Sequence, residues 1–379
     1  MSRVLLVPAP GIPVLGPSGA SAHVRGIAQA LRPVAIIAAR AQDHRGAHGA
    51  VDAPILAPIL ETGVPGWPSW LDHYREYTEV WTSRRIARAA SAFAPTLVWE
   101  RHTLFSDAGW KLHAATGASW ILEVNAPPVA ERLRYETVRL RRWAESWERD
   151  VLTAAPRVLA VSAWLADWLR SLGCRDVRHV PNGVVPHRGD RDGTRRALGL
   201  ENAHVIGFVG SMKPWHGVER LPALLDALPD AVGLLVGEGP VRIEHPRLIH
   251  AGQVSEARVA DLVAAMDVGL APYGADAPPW FCPLKILAYR AQGTPVVATD
   301  IGDSRLLVGD AGTVVPLGGK LGGNRGGNLG DALVDAVRAW QGRRTPPWVR
   351  GWEDVVAEGL SAAPMSGPAL ATPSIEAAG

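Results

Sequence analysis

Short apolar runs rich in Val, Ile and Leu alternate along the chain with segments of helical period. Runs at 4–7, 34–39, 97–99, 120–124 and 158–161 are apolar on both faces, as strands of a parallel sheet covered on two sides should be. Between them Val24, Ile27, Ala28 and Leu31 recur at helical spacing, as do Trp164, Leu165, Trp168, Leu169 and Leu172. The alternation restarts near residue 200. Run 205–209 precedes Leu221, Leu224, Leu225 and Leu228, and run 232–236 precedes Val259, Leu262, Val263 and Met266. The last core strand is expected at 295–298. Strand–helix alternation twice over predicts an α/β chain of two Rossmann-like, doubly wound domains.

Pro and Gly punctuation at 181–186, followed by the polar run 187–196, marks a hinge. The expected domains are 1–185 and 186–345. Residues 346–362 read as a C-terminal helix able to return to the first domain, and 363–379 as a disordered tail of small and polar residues. Residues 318–330 form a glycine-rich loop.

Composition narrows the function. Apolar residues make up 47% of the 379, which excludes a disordered chain. The net charge of +2 gives no basic excess for nucleic acid. Two cysteines exclude a disulfide scaffold and fit a reducing, cytoplasmic setting. The first apolar run ends at Pro8, too early for a signal-peptide core, and no run is long enough to span a membrane.

Three segments carry candidate chemistry. Residues 15–20 form a glycine turn opening a helix at Ser21, which would aim backbone N–H groups and the positive helix end at an anion; a plain strand-to-helix turn fits equally. Residues 207–218 repeat the design with Lys213 as a fixed cation and His216 as a conditional one, suited to a departing diphosphate. Residues 281–298 read as loop, helix, glycine stop and strand, with Lys285 in the first helical turn against the dipole preference. A lysine there implies an anionic ligand or a side chain reaching solvent. The mixed-sign stretch 131–150 reads as a solvated helix face, with a membrane patch as the alternative. Tryptophans within 63–81 suit either an acceptor wall or loop packing. The twelve histidines are scattered without a Cys–His cluster, and no metal is expected.

Several blocks in register resemble the family 4 retaining glycosyltransferases of GT-B fold. They are GPSGASAHV at 16–24, EVNAP at 123–127, VLAVSAWLADWL at 158–169, VPNGV at 180–184, the 207–218 segment, VGEGP at 236–240, DVGLAPY at 267–273 and PLKIL with PVVATDIG across 283–302. The resemblance spans roughly residues 1–315. It implies a nucleotide diphosphate sugar donor, a small or lipid-linked hydroxyl acceptor, retention of configuration, and neither metal nor other cofactor. Gly19 would approach the diphosphate. Ser211 and His216 stand where the family has Arg and Lys, with Lys213 as a substitute cation. The turn at Gly252 and Val254 would hold the base. Cys282, Pro283 and Leu284 would cradle phosphate and sugar through their amides, with Lys285. Asn125 would sit at the reacting face, with Glu100, Arg101 and His23 on the acceptor side.

One departure stands out: the family's paired glutamates fall at Trp280 and Ala288. The second normally anchors the ribose, and losing a charge-assisted bond costs about 1.5–3 kcal/mol. Two alternatives therefore stay open, a GT-B-shaped nucleotide-sugar epimerase and a non-catalytic partner protein. Richness in Ala, Arg, Gly and Trp resembles high-GC actinobacterial proteins and suggests natural-product, aminoglycoside-like chemistry.

Overall fold

The computed structural model of the chain describes residues 3–16, 18–39, 59–62, 75–318 and 328–361. The expected tail at 363–379, most of the glycine-rich loop and most of the tryptophan-rich stretch lie outside the described residues.

The first half alternates strand and helix: β1 (Val4–Val7), α1 (Gly19–Ala30), β2 (Val34–Ala38), β3 (Ile59–Glu61), α2 (Arg75–Ser91), β4 (Leu97–Arg101), α3 (Ala108–Thr116), β5 (Ser119–Val124), α4 (Pro128–Tyr135), α5 (Arg141–Ala154), β6 (Arg157–Ala160), α6 (Ala163–Ser171) and β7 (Val177–His179). Its seven strands pair in the order β3-β2-β1-β4-β5-β6-β7, each pair parallel. β1 is buried at all four positions, the consequence of helices on both faces.

The second half holds α7 (Arg191–Leu198), β8 (His204–Val209), α8 (Leu221–Ala227), β9 (Ala231–Val236), β10 (Leu248–Gly252), α9 (Glu256–Ala265), β11 (Val268–Ala271), α10 (Leu284–Ala291), β12 (Val296–Thr299), α11 (Ser304–Val308), β13 (Gly312–Val315) and α12 (Leu329–Ala339). Six parallel strands run β10-β9-β8-β11-β12-β13. Strand order reverses between β1 and β4 in one sheet and between β8 and β11 in the other. Such switch points open crevices at the carboxyl ends of the strands, where ligands of α/β sheets bind.

Two sequence expectations change. The strand expected to be last, at 295–298, is followed by β13, which pairs with β12 from Val296↔Gly312 onward. The stretch 131–150 is not one helix: α4 ends at Tyr135 and α5 begins at Arg141.

The final helix, α13 (Trp352–Leu360), packs on α1. Trp352, Val355 and Val356 share a buried cluster with Val24, Ile27 and Trp99. The chain thus crosses between the halves twice. The crossings are stitched together: Val184 N–H donates to the Arg350 carbonyl at 2.8 Å, Arg350 Nε donates to the Pro181 carbonyl at 3.1 Å, and a Cβ at Gly183 would meet the Gly351 carbonyl oxygen at 2.7 Å.

Trp352 is 5% exposed, so Trp352→Ala should cost about 3–5 kcal/mol of stability by emptying the α1–α13 seam. Urea denaturation monitored by circular dichroism checks this.

Candidate active site

Three loops at the carboxyl ends of β8, β9 and β10 are laced into one floor. Gly210 N–H donates to the Val236 carbonyl at 2.9 Å, and Gly237 N–H to the Gly252 carbonyl at 2.8 Å. Gly237 has φ +109, and a Cβ there would collide with the Gly210 carbonyl. Only glycine permits that approach. Met212, buried beside it, is held at φ +44, an uncommon conformation of the kind that gathers at functional sites.

Lys285 extends over this floor from the first turn of α10. It is 8% exposed, and its Nζ has no hydrogen-bond partner among the described residues. The ammonium sits 3.7 Å from the Phe208 ring centroid and 4.9 Å from that of Tyr273. Burial drives its pKa well below the usual lysine value. Of the two readings open in sequence, reach to solvent is therefore wrong: the aromatic rings hold this side chain inward.

His216 is also buried, its ring 4.2 Å from that of Trp215. Burial, then the Lys285 and Lys213 charges, lower its pKa to about 2. The expected conditional cation is a neutral imidazole, whose Nδ1 accepts from Lys213 N–H at 3.4 Å. Lys213 and Ser211 are exposed. The Lys213 ammonium lies 5.8 Å from the Trp215 ring and shares its field with Glu131 of α4, across the cleft.

The N-termini of α1 and α10 face each other. A Cβ built on Gly19 would lie 3.6 Å from Leu284 Cδ1, and Ser18 caps α1 by accepting from Ser21 N–H at 3.1 Å. Pro283, at the α10 cap, gives no side-chain hydrogen bond; its carbonyl accepts from Ile286 N–H at 3.0 Å, and the Leu284 and Lys285 amides of the first turn have no partner within the helix. Ala288 follows Leu284 one turn on, half-buried on the same face. Cys282 is turned to the hinge: burial pushes its thiol up to about 12 against hydrogen bonding with Asn182. Gly252 spends its carbonyl on Gly237, has φ +66 and lies beside Glu238. Val254 follows it, half-buried.

In the first domain Glu123 organises the end of β5. His23 Nε2 lies 2.6 Å from its Oε1, Asn125 Nδ2 donates to the same oxygen at 2.7 Å, and Trp99 Nε1 donates to Oε2 at 2.9 Å. Burial pushes the Glu123 pKa up, but His23 and Arg101 outweigh it and hold the carboxylate at about 2. Arg101 keeps a buried Nη1 without a partner among the described residues. Glu100 does not face the cleft. It is fully buried and accepts from Ser106 Oγ at 2.7 Å, Gly109 N at 3.1 Å and Trp120 Nε1 at 3.1 Å. Its alternation with Arg101 along β4 turns it to the other face.

Sequence reasoning missed several residues. Phe208 and Tyr273 flank Lys285, and Phe281 and Trp215 close the same aromatic group. His102, next to Arg101, is buried with both ring nitrogens unpartnered, and burial lowers its pKa to about 3. Asp303 binds His179 at 2.7 Å and the Ala163 amide at 3.1 Å, tying α6 to the second domain. No local pattern marks these contacts, because each joins distant segments. His44 and His48 stand four apart, against the reading of the histidines as scattered, and lie outside the described residues. Among the described residues no group of three His, Cys, Asp or Glu is placed to hold a metal, and no helix is long and apolar enough to cross a membrane.

Residues 17–188 match the Glycosyltransferase Family 4 domain model and residues 203–321 match the Glycosyl transferases group 1 model. Sucrose-phosphate synthase from Thermosynechococcus elongatus superposes with a TM-score of 0.66 at 19% identity, covering 95% of this chain and 94% of that one. Anabaena HepE in complex with UDP and glucose superposes at 0.64 and 16%, covering 94% and 95%. The fold is GT-B. A GDP-mannose-dependent alpha-mannosyltransferase of Mycolicibacterium smegmatis is 32% identical over 176 residues, 44% of this chain and 45% of that protein. The chain thus spans about half the length of that curated relative. Each half of the chain thus matches one of the two glycosyltransferase models.

Glu100 and Glu148, which accepts from Val129 N–H at 2.9 Å, are both raised from 4.5 to about 7 by burial. A raised carboxyl binds its proton more tightly in the folded than in the unfolded chain. Stability should therefore fall as pH rises from 4.5 to 7, by up to about 1.4 kcal/mol per pH unit for each group. Glu148→Gln should flatten that slope in urea titrations across this range.

Proposed function

We propose that the chain is a glycosyltransferase that moves a sugar from a nucleoside diphosphate sugar to a hydroxyl acceptor with retention of configuration. The observation that carries this reading is the buried, unpartnered Lys285 ammonium beside two opposed helix N-termini. An isolated buried cation is costly, and aromatic faces offset only part of that cost. A diphosphate lying between α1 and α10 would supply the missing charge and accept the first-turn amides. Lys213 and the free Nη1 of Arg101 would meet charge developing on the leaving group. In this reading cations of the chain stand where a metal would otherwise stabilise the diphosphate.

The curated mannosyltransferase makes GDP-mannose the first donor to test, and the UDP complex of HepE makes UDP-glucose the second. The acceptor is a small or lipid-linked hydroxyl compound, in natural-product or glycoconjugate synthesis. Against an epimerase stands the commitment of two first-domain carboxylates: Glu123 is held by His23, Asn125 and Trp99, and Glu100 is sealed in the core.

Calorimetric titration with GDP and UDP tests the donor site. Lys285→Met should weaken the tighter of the two by about 10–100-fold; unchanged binding would sink the assignment. Diphosphate binding should raise the depressed Lys285 pKa, so affinity should fall as pH rises between its ligand-free and bound values, and in that range binding enthalpy should vary with buffer ionisation heat. Ala288→Glu should tighten GDP or UDP by about tenfold through a restored ribose bond. The anomeric configuration of the product, read by NMR coupling constants, checks retention.

A further inference from the structure

We infer that Arg25 is a positioning residue: one guanidinium links the setting of the α1 N-terminus to the approach of the second domain. This rests on the donor-site reading above. Arg25 lies on α1, two turns beyond Gly19, and is 5% exposed. Its Nη1 donates to two carbonyls of the preceding loop, Val14 at 3.1 Å and Gly16 at 2.8 Å. Its Nη2 reaches across the cleft to Glu256 Oε1 at 2.5 Å.

The first pair of bonds fixes the loop that delivers Ser18 and Gly19. That loop has little slack: Gly16 N–H donates to the Pro13 carbonyl, and a Cβ at Gly16 would press on Ser21 Oγ and Pro13. The third bond ends on the first turn of α9, whose cap Ser255 follows directly on the Gly252–Val254 turn. A single planar cation thus holds both sides of the cleft at its nucleotide end. Lysine, with one nitrogen, cannot make the same three bonds.

The strut costs free energy to open, because opening leaves a buried guanidinium with carbonyl partners only. A ligand that needs both helix N-termini at once binds the closed arrangement, so the strut contributes to its affinity by linkage. Glu256 is 35% exposed and acidic in a first helical turn, where it also favours α9 through the dipole. That helical role alone would alter stability and leave nucleotide affinity untouched.

The test measures GDP and UDP binding by calorimetry, with melting temperatures, for wild type, Glu256→Gln, Arg25→Lys and the double variant. Each single variant should weaken nucleotide binding by about tenfold. The double variant should be no weaker than the worse single one, with Glu256→Gln melting close to wild type. Wild-type binding retained in full by Glu256→Gln, or simply additive losses in the double variant, would overturn the strut while leaving the donor site standing. Failure of the wild type to bind either nucleotide would overturn the donor-site reading and the strut with it.

Discussion

A lysine ammonium buried without a counterion sets the terms for the rest of this molecule. Lys285 is inserted between Phe208 and Tyr273, and its Nζ has no hydrogen-bond partner among the described residues. His216 is held uncharged first by its own burial and then by the Lys285 and Lys213 charges. The backbone of β8, β9 and β10 closes underneath Lys285 through Gly237 and Gly239, where a Cβ would collide with the Gly210 and Ser211 carbonyls. Such a centre is costly in the ligand-free protein and favourable once an anion arrives. The architecture around it, two sheets with facing switch points, makes it reachable from both domains.

The sequence was most legible where burial was complete. Most central strands were visible as apolar runs, because helices on both faces favour apolar side chains, although β11, buried at all four positions, was missed and Glu123 interrupts the run of β5. The missed strands include the four at the sheet edges: β3, β7, β10 and β13. Ile59–Glu61 and Val177–His179 are three residues long and end in charge or imidazole, and Leu248–Gly252 is only half-buried. An edge strand is covered less, so its pattern carries less signal. Lys285 was visible as a cation at the wrong end of a helix, a local conflict of the kind that marks functional sites. Its direction was not, since Phe208 and Tyr273 lie 77 and 12 positions away in the chain.

Glu100 and Arg101 make the same point from the other side. Adjacent in sequence and both charged, they read as one acceptor-side motif. The strand separates them: Glu100 is spent on fixing the loop and first turn of α3, whereas Arg101 keeps a donor free. Which of two neighbouring charged residues serves the cleft is decided by the register of β4, and no composition argument reaches that.

The absent glutamate at position 288 changes how a donor could be gripped. Leu284 and Ala288 lie one turn apart on α10, and Leu284 meets Gly19 across the cleft. That face offers the ribose no carboxylate. In the proposed donor site, binding free energy would then come chiefly from a diphosphate placed between both helix N-termini, and so from closure of the domains on one another. The stitching of the two crossings at Val184 and Arg350, the Asp303 contacts with His179 and α6, and the Arg25 bridge to Glu256 all act on that closure. A site with a strong ribose anchor could hold its nucleotide on one domain alone. In the proposed site, with no carboxylate at position 288, a nucleotide held firmly would have to be held by both.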